Sequence, residues 1–198
     1  MPARRTGAFV RSHASRTAAA IACAIAAAFF PSACGPKAPA AAPPAPASGG
    51  VVVAVDFDGL QQLLAARGAR ATVVNCWATW CAPCVAELPD LLAAAAPWKE
   101  SVEVVLLSYD LMVPNSGLDR VSGVAHVQRF LEQRKLLLGE HVRVVLYDDA
   151  VSKLDDRFDL PGPIPTTVVL DRDGKVVGRE KSAATRARFD ELFGAAAK

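Results

Sequence analysis

Trp80-Cys81-Ala82-Pro83-Cys84 sets two thiols apart by a single dipeptide. If the pair opens a helix, the first turn brings the second sulfur within disulfide reach of the first. A helix start also presents unpaired N–H groups and roughly half a positive charge, which favour the thiolate of Cys81 over its thiol. Thiol pKa values in such settings fall from about 8.5 to between about 3.5 and 7.5, and each unit is worth about 1.4 kcal/mol of preference for the reactive anion. The chemistry implied is disulfide exchange: Cys81 attacks, and Cys84 resolves the mixed disulfide from within. Pro83 suits an early helical position, where its missing N–H is no loss.

Other chemistries compete for a Cys-X-X-Cys. Structural zinc needs four ligands, and beyond Cys84 the only further Cys or His residues are His126 and His141. Neither has ligand spacing, and both read as solvent-facing polar residues, so no metal and no cofactor is expected. A copper chaperone would want a wider cysteine spacing and a suitably placed histidine, and copper binding by the reduced protein separates it from a disulfide exchanger. A non-catalytic binding module is the remaining alternative, opposed by the intact cysteine pair. Cys76, in strand context beside Trp77, reads as a buried small hydrophobe.

The elements that must hold the pair alternate. Val51 to Val55 and Thr72 to Trp77 (TVVNCW) read as strands, with Leu60, Leu63 and Leu64 at helical spacing between them. After the cysteines, Leu88, Leu91, Leu92 and Ala95 mark one helical face, and Val102 to Ser108 is apolar enough for a strand covered on both sides. A loop over 109–119, holding Met112, Val113 and Pro114, reads as plain surface. It leads to a helix with Val124, Val127 and Leu131 on one side, then to the strand-like Val142 to Tyr147 and a short helix over Val151 to Phe158. Past the turn Pro161-Gly162-Pro163-Ile164-Pro165, the segments Thr166 to Leu170 and Lys175 to Gly178 flank Asp171-Arg172-Asp173-Gly174, whose Asp-Gly pair signals a hairpin. Phe189, Leu192 and Phe193 give a closing helix. Strands alternating with helices call for a mainly parallel α/β sheet covered on both faces, with an antiparallel strand from the terminal hairpin at one side.

Val73-Val74-Asn75-Cys76-Trp77-Ala78-Thr79-Trp80-Cys81-Ala82-Pro83-Cys84 resembles the active-site strand and turn of the thioredoxin superfamily, and most closely its TlpA/ResA-like branch of membrane-anchored thiol-disulfide oxidoreductases. Glu87, Pro89, the loop Gly162-Pro163-Ile164-Pro165-Thr166-Thr167 and the hairpin Asp171 to Lys175 extend the likeness across most of 51–193. The resemblance implies a thioredoxin-like three-layer sandwich, a mixed sheet flanked by helices, with an inserted helix-strand unit at about 120–147. It implies catalytic roles for Cys81, Cys84, Glu87 and Pro165. Pro165 would be cis, packed on the disulfide, leaving Ile164 free to pair with an extended substrate. Trp80, Ala82, Pro83, Ile164 and Thr166 would form the substrate-binding surface. Asn75 stands where thioredoxin has a buried aspartate, so Glu87 is the candidate to tune the thiols and accept the proton of Cys84. Partners implied are protein thiol or disulfide substrates, apocytochrome c among them, with electrons drawn from a membrane protein, and a reductase direction.

The 198 residues are 52% hydrophobic, ample for one core plus extensions. Only Arg4, Arg5, Arg11, Arg16 and Lys37 are charged before Asp56; removing these 5 from the 22 basic residues leaves 17 against 20 acidic, so the remainder carries about −3 and offers no nucleic-acid patch. An arginine-bearing opening, an uncharged run from Thr17 to Phe30 and small residues in Pro31-Ser32-Ala33-Cys34 have the order of a secretory signal peptide. The run is shorter than the roughly 20 residues of a spanning helix. Ser-Ala-Cys resembles a bacterial lipobox with Cys34 as lipidation site, although Pro31 replaces the usual leucine; Cys23 is a rival with a very short apolar region before it. Residues 1–34 are thus expected to be an export segment, 35–50 an Ala/Pro-rich spacer of extended character, and 51–198 the folded domain. The chain would be lipid-anchored on the periplasmic side of a bacterial membrane.

Overall fold

The computed structural model describes residues 51–66, 68, 70–113, 116–159 and 163–197. The expected export segment, Cys23, Cys34 and the spacer lie outside these, as do Pro114, Pro161 and Gly162 of the two loops.

The order is β1 (Val52–Val55), α1 (Phe57–Ala65), β2 (Ala71–Trp77), α2 (Ala82–Ala95), β3 (Val102–Ser108), a 3-10 turn (Asp110–Met112), α3 (Arg120–Gln133), β4 (Val142–Tyr147), α4 (Val151–Phe158), β5 (Thr166–Leu170), β6 (Val176–Glu180) and α5 (Arg186–Ala196). One six-stranded sheet runs β1-β4-β3-β2-β5-β6. Neighbours among the first four are parallel, whereas β5 lies antiparallel to β2 and β6 to β5. This is the thioredoxin-like mixed sheet flanked by helices.

Every residue of β2 and β3 is buried. That is what central strands covered on both faces require, and it explains why their sequences run apolar without alternation. Leu88 and Leu91 of α2, Phe189 and Phe193 of α5, and Leu60 of α1 join this core with no exposed surface; side chains of this kind contribute about 1.5–3 kcal/mol each when fully buried. Caps fix the helix starts: Asp56 accepts from Gly59 N–H, Asp119 and Ser122 form a reciprocal capping box, and Thr185 accepts from Arg188 N–H.

The structure corrects several boundaries and placements. Strand β1 starts at Val52, and β6 runs on to Glu180 because Arg179 and Glu180 pair with Val168 and Thr167. His141 is not solvent-facing: it is buried, and burial pushes its imidazole pKa down. Within the apolar β3, Glu103 is buried and ion-paired to Arg143 of β4. Among the described residues no helix is long and apolar enough to cross a membrane.

Candidate active site

Parallel strands end at the same edge, and the turn from β2 into α2 lies there. Cys81 is the N-cap of α2, and its sulfur accepts from the Cys84 N–H at 3.3 Å. Cys81 and Cys84 are joined as a disulfide. Cys84 has no exposed surface and Cys81 only 6%, so attack from outside reaches Cys81 first. Ala82 and Pro83 between them are exposed, as is Trp80 at 56%. Pro89 sits inside α2, where it forgoes the hydrogen bond to the Val85 carbonyl.

Facing the disulfide is the loop before β5. The Ile164–Pro165 peptide is cis. The Ile164 carbonyl oxygen lies 3.9 Å from Cys81 Sγ, and Thr166 ties the loop down through its hydroxyl, which donates to the Pro163 carbonyl at 3.0 Å.

On the inner side, one helical turn on from Cys84, Glu87 is 5% exposed. Asn75 Nδ2 donates to its Oε1 at 2.9 Å, and the Ala184 N–H donates to its Oε2 at 2.8 Å. Burial raises the Glu87 carboxyl above the usual range, and these two hydrogen bonds oppose that shift without cancelling it. A solvated first-turn glutamate is therefore excluded. Asn75 also donates to Thr167 Oγ1 at 3.0 Å.

Beside Trp80 opens a groove of about 940 Å³, whose wall includes Tyr109, Met112, Val113, Phe130 and Ile164. Met112 and Val113 thus belong to the reactive edge and not to a plain surface loop.

A family model described as Redoxin matches residues 35–193. The chain belongs to the Redoxin family.

Relatives of this redoxin include Thiol-disulfide oxidoreductase ResA of Bacillus thuringiensis subsp. konkukian, 27% identical over 144 residues that span 71% of this chain and 72% of the relative. The protein of the same name from Bacillus anthracis is 29% identical over 126 residues, 63% of this chain and 62% of its own length. Among solved structures, a putative thiol:disulfide interchange protein DsbE from Chlorobium tepidum superposes with TM-score 0.51 at 21% identity, covering 68% of this chain and 85% of that one. A thioredoxin-related protein from Neisseria meningitidis serogroup B gives 0.50 at 22%, covering 67% and 89%. At these identities the structures speak for the fold alone. This redoxin is a thiol-disulfide oxidoreductase of TlpA/ResA-like type.

Cys81, Cys84, Glu87, Trp80, Ala82, Pro83, Ile164, Pro165 and Thr166 all converge on one edge of the sheet. Sequence reasoning missed three groups there. Asn75, which in sequence marks only the absence of a relay group, is the hydrogen-bond partner of Glu87. Asp110 is buried and tied to Thr79, just ahead of the cysteines. His126, expected to face solvent freely, lies with its Nε2 2.9 Å from Thr79 Oγ1. A polar Asp in the otherwise apolar stretch leading out of β3 was the available signal for Asp110; nothing in the local sequence marks His126.

Proposed function

We propose that this redoxin reduces disulfides in exported proteins, using Cys81 as nucleophile, Cys84 as resolving thiol, Glu87 as proton acceptor and Pro165 with Ile164 as the substrate-facing loop. The observation that carries the reading is the asymmetry of the pair, with Cys81 keeping 6% exposure at the helix start and Cys84 fully buried one helical turn before Glu87.

In the reducing direction the Cys81 thiolate attacks one sulfur of the substrate disulfide. An enzyme–substrate disulfide forms, and the other substrate sulfur leaves as a thiolate that takes a proton from water. Cys84 loses its proton to Glu87 and attacks Cys81 Sγ, which expels the second substrate thiolate. The second thiolate also takes a proton from water and Glu87 releases its proton to solvent, so the substrate gains two electrons and two protons, and the enzyme is left with its Cys81–Cys84 disulfide, to be reduced again by a membrane dithiol donor. Trp80, Ala82, Pro83 and Thr166 frame the contact with an extended substrate segment. Apocytochrome c, with its paired haem-binding cysteines, is the candidate substrate.

Local charge sets the potential of the couple. The helix start favours a thiolate on Cys81. About 30 mV corresponds to a tenfold change in the exchange equilibrium, so a redox titration of the Cys81/Cys84 couple decides: a potential near that of thioredoxin supports the reductase, and one near the strong oxidants overturns it. We place the enzyme on the periplasmic side of a bacterial membrane, held through a lipid on Cys34 by the 35–50 spacer. Metabolic labelling with a fatty-acid analogue, lost in a Cys34→Ala variant, tests the anchor.

A further inference from the structure

His126, on α3, has a side chain 40% exposed and lines the groove beside Trp80 and Ile164. Its Nε2 meets Thr79 Oγ1 at 2.9 Å. Thr79 lies in the turn that carries the chain from β2 to Cys81, and Asp110 clamps it: the Thr79 N–H lies 3.2 Å from each carboxyl oxygen, and the Thr79 hydroxyl donates to Oδ1 at 2.5 Å. The Ser108 hydroxyl donates to Oδ2 at 2.6 Å.

Donor arithmetic orients this cluster. A threonine hydroxyl has one proton, and here it goes to Asp110. Thr79 Oγ1 can therefore only accept from His126, so Nε2 carries a hydrogen.

We propose that His126 is a positioning residue for disulfide exchange, holding the Thr79–Asp110 clamp in the turn that leads to Cys81. The inference rests on Cys81 being the nucleophile. The Nε2–H of His126 donates to Thr79 Oγ1 and leaves the Thr79 hydroxyl proton turned to Asp110, so the last residues before Cys81 are held from α3 as well as from the end of β3.

The test is the rate of iodoacetamide alkylation at Cys81 in the reduced full chain at pH 7, followed by mass spectrometry, for wild type, His126→Gln and His126→Ala. Glutamine keeps an N–H donor for Thr79, and alanine has none. His126→Gln should match wild type, and His126→Ala should be slower by about twofold or more. A wild-type rate in His126→Ala, or a Gln variant as slow as the Ala variant, would overturn the positioning role. If His126→Ala does not fold, His126→Leu, which keeps bulk without a donor, is read in its place with the same outcomes. Insulin reduction by Cys81→Ser, run in parallel, separates the two readings: retained activity removes the proposed function itself, whereas a dead Cys81→Ser beside wild-type-like His126 variants removes only this inference.

Discussion

Asn75 and Glu87, 12 residues apart in the chain, share a hydrogen bond of 2.9 Å that joins the central strand to the active-site helix. It holds a carboxyl one helical turn on from Cys84, at a point where burial raises its pKa. Because the charged form is disfavoured in the fold, the stability that Glu87 contributes is complete below the ordinary glutamate range. It is lost as pH rises through the raised folded value.

Glu87→Gln mimics the protonated acid, and Asn75 can turn its amide to offer the Gln its Oδ1, which has no hydrogen-bond partner. Urea unfolding should find the variant gaining on wild type as pH increases from about 4 to 8. Insulin reduction should nonetheless slow by about tenfold or more, because the resolving thiol has lost its proton acceptor. A wild-type rate in Glu87→Gln would remove Glu87 from the mechanism.

Asn75→Ala removes the donor and leaves the Glu87 carboxyl and Thr167 without it. A loss of about 1–3 kcal/mol is expected, read from the urea midpoint at pH 7. Because a lone buried carboxylate is the cause, the loss should shrink at pH 4.

Cys81→Ser should abolish disulfide reduction, and Cys84→Ser should stop it one step later. With Cys84 gone the enzyme–substrate disulfide has no internal resolving thiol. Non-reducing gels should show a covalent complex with a disulfide-bearing peptide for Cys84→Ser and none for Cys81→Ser at this site.

Arg143→Met strands the carboxylate of Glu103 in the sheet, at 1% exposure. Breaking a buried pair from one side costs about 3–5 kcal/mol. The double variant Glu103→Val/Arg143→Met should recover most of that loss, since two apolar side chains replace a desolvated pair. Thermal unfolding of the three proteins checks it, and a double variant as weak as the single would show that the pair is worth its burial.

Cys76 is fully enclosed, and burial pushes its thiol up to about 12. Native protein should leave Cys76 unlabelled by iodoacetamide at pH 8, with labelling complete in denaturant, as quantified by peptide mapping.

Much of this molecule was legible locally. The bounds of β3, β4 and β5 follow from runs of apolar residues ended by turn formers, because a strand buried on both faces leaves no room for alternation. The cysteine pair, with its helix start, spacing and proline, is a local device as well, since one turn of backbone brings the sulfurs together. What the chain could not say alone is which distant polar groups share that edge. Asn75 reads as a missing acid until β2 and α2 set it against Glu87; His126 reads as a surface residue until α3 brings it to Thr79. Hydrogen bonds between residues 12 and 47 positions apart leave no periodicity in sequence, because they depend on how helices lie across a sheet, and only the packed structure determines that.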